Sequence, residues 1–156
     1  MQLCSIEPFP RAELRSPALR PGRLIEHRVQ DVDIRLFEQL DAGDVLFVDS
    51  SHVAKTGSDV NHLFFEVLPR LRKGVRLHFH DIFFPHDYPK PWVLDENRSW
   101  NEQYLVRALL MYSTHFRVLF GCNYAYTAHH TALREALHEP DGACYGGGSL
   151  WIEKIA

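Results

Sequence analysis

The sequence predicts an α/β fold built on a mostly parallel sheet, and two observations support this prediction. First, short apolar runs alternate along the chain with amphipathic segments of about ten residues, an order that is typical of βαβ units. Second, the apolar run Val45–Val48 is bracketed by Asp44 and Asp49, as expected of a strand that is covered on both faces. A length of 156 residues with 46% hydrophobic residues fits a single domain that spans residues 1–156.

Each element is predicted from its own local pattern. Strands are predicted over the short runs that are richest in apolar residues, namely Leu3–Ile6, 24–29, Val45–Val48, 75–80, 116–120 and 150–155. Helices are predicted where apolar residues recur at helical spacing, namely 11–19, 33–40, 63–71 and a helix that begins near residue 99. Ser99 and Glu102 have the spacing of a capping box for that last helix. A glycine turn at 146–148 is predicted to join the last two strands as an antiparallel hairpin.

Composition narrows the classes of function. The net charge of −3 provides no basic surface for phosphates, so we expect no nucleic-acid partner. No apolar run approaches the roughly 20 residues that cross a bilayer, so we expect no membrane partner. The three cysteines have no CxxC spacing, and the N-terminus has no signal-peptide pattern. We therefore expect a cytoplasmic protein without a disulfide framework.

Acidic residues and histidines follow several of the predicted strands. Ligands of open α/β sheets bind beyond the carboxyl ends of the strands. The residues in that position are Glu7, Asp31, Asp49, His52, His80 and Asp81. Carboxylates and imidazoles together suit a divalent cation. Two interpretations stay open here, because Asp49 and Asp81 could equally cap the segments that follow them.

His78 and His80 support a second metal hypothesis. Alternate residues of a strand face the same side, so both imidazoles could bind one ion together with Asp81, as in a metal-dependent hydrolase or oxygenase. The full HxHxDH signature of such hydrolases is absent, because Ile82 and Phe83 follow Asp81. This hypothesis therefore stays an alternative.

Aromatic residues are concentrated after the predicted strand 75–80. They are Phe83, Phe84, Tyr88, Trp92 and Trp100. Rings in such a segment either form the wall of an acceptor pocket or pack on the edge of the sheet, and packing is the more common fate of large rings.

Four stretches of the chain, taken together, resemble a known family. They are SIEPFP at 5–10, GDVLFVDSSHV at 43–53, LPRLRKGVRLHFHDIFFP at 68–85 and WNEQYLVRALL at 100–110. In this order and spacing they resemble class I S-adenosylmethionine-dependent methyltransferases. Within that family they look like the metal-assisted branch, which includes catechol-type and sugar O-methyltransferases and the cephalosporin-hydroxylase-like proteins. The resemblance implies a Rossmann-like methyltransferase sheet that ends in an antiparallel hairpin.

The resemblance also implies a cofactor site. Glu7 takes the position, after the second strand of the family fold, that binds the ribose of S-adenosylmethionine. Asp31 or its neighbour Gln30 takes the position near the adenine. The implied reaction is methyl transfer to a hydroxyl oxygen of a small molecule or a sugar.

The implied metal site is separate from the cofactor residues. Asp49, His80 and Asp81 take the positions that hold the divalent cation, Mg or Mn, in metal-assisted members. His52 takes the position where some relatives have a general base for the acceptor hydroxyl.

One part of the family pattern has no counterpart in this sequence. The first strand and its glycine-rich loop are absent, so that the sheet is expected to open at its centre, between the second and fourth family strands. We therefore expect a partial domain whose intact parent has these elements upstream. The alternative is a non-catalytic remnant that binds a ligand or a partner through the same edge. Unpaired strand edges favour pairing with other chains, so we also expect self-association into a homo-oligomer.

Overall fold

The structure, a computed structural model, describes residues 2–16, 22–137 and 147–156. The strands within these residues are β1 (Leu3–Ile6), β2 (Gly22–Ile25), β3 (Val45–Val48), β4 (Arg76–His80), β5 (Phe116–Gly121) and β6 (Ser149–Lys154). The α-helices are α1 (Ala12–Arg15), α2 (Arg35–Glu38), α3 (Asp59–His62), α4 (Leu68–Arg70), α5 (Lys90–Leu94), α6 (Glu102–Met111), α7 (Cys122–Ala128) and α8 (His130–Leu137). A 3-10 helix at Val29–Asp31 and a π-helical segment at Leu63–Val67 complete the list. The α/β class is confirmed.

The strands form two sheets. A four-stranded sheet has the order β3-β4-β6-β5, and β1 and β2 form a separate two-stranded sheet. The pairs β1–β2 and β3–β4 are parallel, whereas β6 runs antiparallel to both β4 and β5. The described sheets are therefore mixed rather than mostly parallel, because β6 returns between β4 and β5.

The two sheets separate between β1 and β3. Within the described residues, each of these strands has a partner on one side only. The sheets nevertheless belong to one body, because Ile6 and Val29 pack against the main core. Gln30 adds a link, since its Nε2 donates to the carbonyl oxygen of Gly57 at 3.0 Å. The missing family strand itself stays a prediction.

The core lies on one face of the four-stranded sheet. Leu77 and Phe79 of β4 are fully buried, as is Ile152 of β6. They pack against Val67 and Val106 from the helical layer. The alternation predicted for β4 is confirmed, because the residues between Leu77 and Phe79 and on either side of them are less buried. Of the helices in the described ranges, none has the length and apolar character that crossing a membrane requires.

The predicted tight hairpin between the last two strands is wrong. β5 and β6 do pair antiparallel, but helices α7 and α8 lie between them in the chain. Both are short, with seven residues in α7 and eight in α8, and neither was predicted from the sequence. Residue 146 of the predicted turn lies outside the described residues. The predicted helix 11–19 is only the single turn of α1, and residues 17–19 also lie outside them.

The predicted capping box is also wrong. Helix α6 begins at Glu102, its N-cap is Asn101, and Asn101 makes no side-chain capping bond. A capping glutamate reaches back to the backbone of the N-cap residue. Glu102 instead directs its carboxylate into the interior, where it has other partners.

Candidate functional site

His52 is the centre of the candidate site. It lies in the loop after β3, with a relative exposure of 4% and a φ of 57°. Its backbone N–H donates to Ser50 Oγ at 2.9 Å. Its carbonyl oxygen accepts from the N–H groups of Asn101 and Glu102 at 2.9 and 3.2 Å. The loop after β3 is thereby fixed to the first turn of α6.

Glu102 holds the imidazole of His52. The carboxylate is fully buried, and its Oε2 lies 2.9 Å from His52 Nδ1 and accepts from Ser50 Oγ at 2.9 Å. Oε1 has no hydrogen-bond partner among the described residues. An ionised carboxylate only accepts hydrogen bonds, so Nδ1 carries the hydrogen and Nε2 of a neutral His52 is free to accept a proton.

Asp49 and Asp81 face that free nitrogen. Asp49 Oδ1 lies 3.4 Å from His52 Nε2, and Asp81 Oδ2 lies 3.9 Å from it. Asp49 follows β3 and Asp81 follows β4, so the two parallel strands deliver both carboxylates to one edge of the sheet. His80 is close as well, with its Nε2 3.6 Å from Asp81 Oδ1. Acceptor atoms that face one another favour a proton or a cation between them.

The electrostatics of the site act on the pKa of His52. Burial by itself lowers this pKa, because it disfavours the charged imidazolium. The hydrogen bond to Glu102 and the negative charges of Glu102, Asp81 and Asp49 outweigh burial. The pKa of His52 is therefore raised above its ordinary value of 6.5. The surroundings of His52 therefore favour the protonated imidazole.

The donor types at this edge suit a divalent cation, since hard ions take carboxylate oxygens and transition metals accept imidazole. Within the part of the chain that the structure describes, however, no group of three or more His, Cys, Asp or Glu side chains is arranged to hold a metal ion. The metal prediction for Asp49, His80 and Asp81 therefore depends on residue type and position alone.

The second metal hypothesis meets a different geometry. His78 and His80 do share a face of β4, and their rings stack at 5.9 Å. His78 is enclosed by Phe47 and Trp151, at ring distances of 4.5 and 4.7 Å. Both ring nitrogens of His78 are buried without a partner among the described residues. An aromatic enclosure of this kind offers His78 no second ligand.

The predicted cofactor residues lie elsewhere, on the two-stranded sheet and just after it. Glu7 follows β1, and its Oε1 accepts from the N–H of Phe9 at 2.8 Å. Gln30 and Asp31 belong to the 3-10 helix, where Asp31 pairs with Arg28 at 2.8 Å. Glu7 and Asp31 are thus engaged by near neighbours in the chain, whereas Gln30 donates to the distant carbonyl oxygen of Gly57. Glu7 Oε2 has no partner among the described residues and suits a ribose hydroxyl.

A cleft lined by aromatic residues adjoins His52. We call it the aromatic cleft; it encloses about 350 Å³, and its lining residues are Tyr88, Val93, Asn97, Arg98, Ser99, Trp100 and Tyr104. The Trp100 ring lies 4.1 Å from the His52 ring. Phe83 is buried in packing against Tyr88 and Trp92. The aromatic segment therefore does both things that the sequence left open: some rings pack, and others form a wall.

Sequence reasoning missed Glu102. It stands in the stretch WNEQYLVRALL, where its position at a helix start concealed its role. Positive φ angles, in contrast, mark other residues of the site and of the aromatic cleft. Within the described ranges, the non-glycine residues with positive φ are His52, Asp81 and Asn97, and each lies in the site or in the aromatic cleft. Such conformations cost about 1–3 kcal/mol each and concentrate at functional sites.

The mixed α/β architecture is consistent with a Rossmann-like methyltransferase fold, and polar side chains lie beyond the carboxyl ends of its parallel strands β3 and β4. The sequence profile of a family described as a methyltransferase domain matches residues 1–82, more than half of the 156 residues. The chain belongs to this family of methyltransferase domains. The matched region includes His52 and Asp81 and ends before Glu102 and before every residue that lines the aromatic cleft. No curated protein and no solved structure matches the chain.

Proposed function

We propose that the protein transfers a methyl group from S-adenosylmethionine to a hydroxyl oxygen of a small molecule or a sugar, with His52 as the general base. Family membership supports methyl transfer in general. The observation that carries the finer proposal is the buried pair of His52 and Glu102, whose geometry leaves Nε2 free. A positioned base of this kind is what an acceptor hydroxyl needs.

The residues of this chain divide the work as follows. The acceptor hydroxyl would donate to His52 Nε2, and its proton would pass to that nitrogen as the oxygen–methyl bond forms. The sulfur–methyl bond of the cofactor would break in the same displacement, and S-adenosylhomocysteine would be the leaving group. Glu102 fixes the tautomer of His52 through Nδ1 and stabilises the imidazolium. Asp49 and Asp81 add negative charge near Nε2, on the opposite side of the ring from Glu102. S-adenosylmethionine supplies the electrophilic methyl group when bound, and Glu7 with Gln30 or Asp31 would hold its ribose and adenine.

We also propose a place for a divalent cation, Mg or Mn. Asp49 and Asp81, with His80, would hold the ion at the edge of the four-stranded sheet. A bound cation there would lower the pKa of the acceptor hydroxyl. This part of the proposal is supported by the oxygen and imidazole donors that follow β3 and β4.

Substitution of His52 tests the base. With labelled S-adenosylmethionine and a panel of phenols and methyl glycosides, we expect His52→Gln to lower the rate of methyl transfer by about 10²–10⁴-fold. His115→Gln is the matched control, because His115 is exposed and far from the site in the chain. Equal rates in His52→Gln and the wild type would rule out His52 as the base.

The same assay separates the other hypotheses. Binding of ligands without methyl transfer by the wild type would favour the non-catalytic remnant. Turnover without S-adenosylmethionine, sensitive to His80→Gln, would favour the metal-dependent hydrolase or oxygenase.

A further inference from the structure

We propose that the aromatic cleft is the acceptor site and that its acceptor is a hydroxylated ring acid, a flat ring that carries both a carboxylate and a hydroxyl group. The inference builds on the proposed methyl transfer, because it names the class of substrate for the same site.

The walls of the aromatic cleft suit a flat ring. Tyr88 stands at 79° to Trp100 and at 87° to Tyr104, with ring centroids 6.0 and 6.1 Å apart. Rings at this angle and spacing are in direct edge-to-face contact with one another, so they form one continuous aromatic wall against which a flat ring can pack. The enclosed volume of about 350 Å³ falls within the range of small-molecule sites. A single ring with short substituents fits it.

Arg98 provides the polar anchor of the cleft. Its guanidinium lies over the rings of Trp92 and Trp100, 4.0 and 4.6 Å from their centroids, where these two rings meet edge to face. Its Nε and Nη2 both lie 2.7 Å from Glu96 Oε2. Among the described residues, Nη1 has no acceptor. The stacking and the ion pair hold the guanidinium plane still, and the remaining N–H groups are available to a carboxylate.

The charges around the cleft favour an anion at this position. Of the described residues, those that line the cleft include one cation, Arg98, and no carboxylate. Two acidic residues are near. Glu96 occupies one side of the guanidinium and is itself half-exposed. Asp87 Oδ1 is already engaged by Tyr104 Oη at 2.7 Å and by the N–H of Tyr88 at 2.8 Å.

The backbone next to Arg98 is held in an unfavourable conformation. Asn97 has a φ of 53°, and residues in this region persist where the surrounding structure requires them. The turn at Asn97 directs the chain so that Arg98 and Ser99 both reach the cleft.

Trp100 connects the cleft to the base. Its indole forms part of the cleft wall and also contacts the imidazole of His52 at 4.1 Å. An acceptor whose carboxylate binds Arg98 has its ring beside the indole, and its hydroxyl extends past the indole edge towards His52. Binding at Arg98 therefore orients the hydroxyl as well as adding affinity.

Direct binding tests the inference without any transfer of methyl groups. Calorimetry on the full chain would compare 4-hydroxybenzoate with its uncharged counterpart, 4-hydroxybenzyl alcohol, and with methyl glucoside. We expect the acid to bind roughly tenfold or more tightly than the alcohol, because hydrogen bonds to charged groups are the stronger ones. Arg98→Gln should abolish this preference, and the exposed Arg107→Gln should retain it.

A second variant should change the affinity for the acid in the direction opposite to Arg98→Gln. Glu96→Gln removes the competing carboxylate and should tighten the binding of 4-hydroxybenzoate several-fold, roughly as expected for a neighbouring like charge. Equal affinities for the acid and the alcohol, a preference for methyl glucoside, or no binding at millimolar concentration would each overturn the inference. His52→Gln should keep the binding and lose the transfer, so a failed base and a failed cleft give different results.

Discussion

The four-stranded sheet and the two-stranded sheet differ in how deeply their side chains are buried and in the partners of the residues that follow their strands. In the four-stranded sheet, Leu77, Phe79 and Ile152 are fully buried, and the residues that follow β3 and β4 converge around His52. In the two-stranded sheet, no residue of β1 or β2 is buried. The residues near its carboxyl ends, such as Glu7, bond to their own neighbours.

The difference shows what positions a functional group. His52 has ring contacts and hydrogen bonds to the loop before α6 and to the helix itself, so that its ring has one orientation. Glu7 follows β1 and Asp31 lies in the 3-10 helix after β2, next to a sheet that has only two strands among the described residues. Residue type and position after a predicted strand made all of these residues candidates, but a well-packed scaffold holds only some of them.

The largest expected effect is on stability, and it sharpens the comparison with one substitution made in both sheets. Leu77→Ala in β4 should lower the free energy of unfolding by about 2–5 kcal/mol, because it leaves a cavity in a filled core. Leu3→Ala in β1 should cost less than about 1 kcal/mol, because Leu3 is 41% exposed. Urea denaturation measures both values. Equal costs would show that β1 is as tightly packed as β4.

Glu102→Gln should have the next largest effect on stability. It tests the four-stranded sheet only, because Glu102 bonds to the loop after β3. Loss of the buried carboxylate should cost about 1–3 kcal/mol of stability near pH 6. The raised pKa of His52 means that this stabilisation is complete below the unfolded pKa and is lost as the pH rises through the folded pKa, so the cost should shrink near pH 9.

Histidine titration by NMR gives the second readout of the same variant. The pKa of His52 should fall in Glu102→Gln, since burial then acts with less opposing charge. An unchanged pKa for His52 in this variant would mean that Glu102 does not control the base.

The smallest expected effect concerns the divalent cation that we propose for the edge of the four-stranded sheet. Asp49→Asn should weaken the binding of Mg or Mn by about tenfold, as removal of a charged ligand does. Asp95→Asn is the control, because Asp95 is exposed and follows α5. Calorimetric titration of the metal alone measures both. Unchanged affinity in Asp49→Asn would leave Asp49 with an electrostatic effect on His52 and no ligand role.

The sequence by itself was enough to predict the α/β class, the approximate positions of the six strands in the described ranges and three of the residues that meet beyond β3 and β4. A buried strand needs apolar residues. In β4, the alternation of buried and less buried side chains follows the alternation of apolar and polar residues in the sequence. Because parallel strands end at the same edge, the positions after β3 and β4 were enough to predict that Asp49, His52 and Asp81 come together.

Only the tertiary structure decided how His52 is held and what lies beside it. Its bond to Glu102 joins residues 50 positions apart in the chain, and no local pattern distinguishes a glutamate that caps a helix from one that enters the core. The aromatic cleft is likewise formed by packing, since the ring of Trp100 contacts both Arg98 and His52. Neither contact can be read from the local sequence. Local preferences are set by neighbours in sequence, whereas a site is set by neighbours in space.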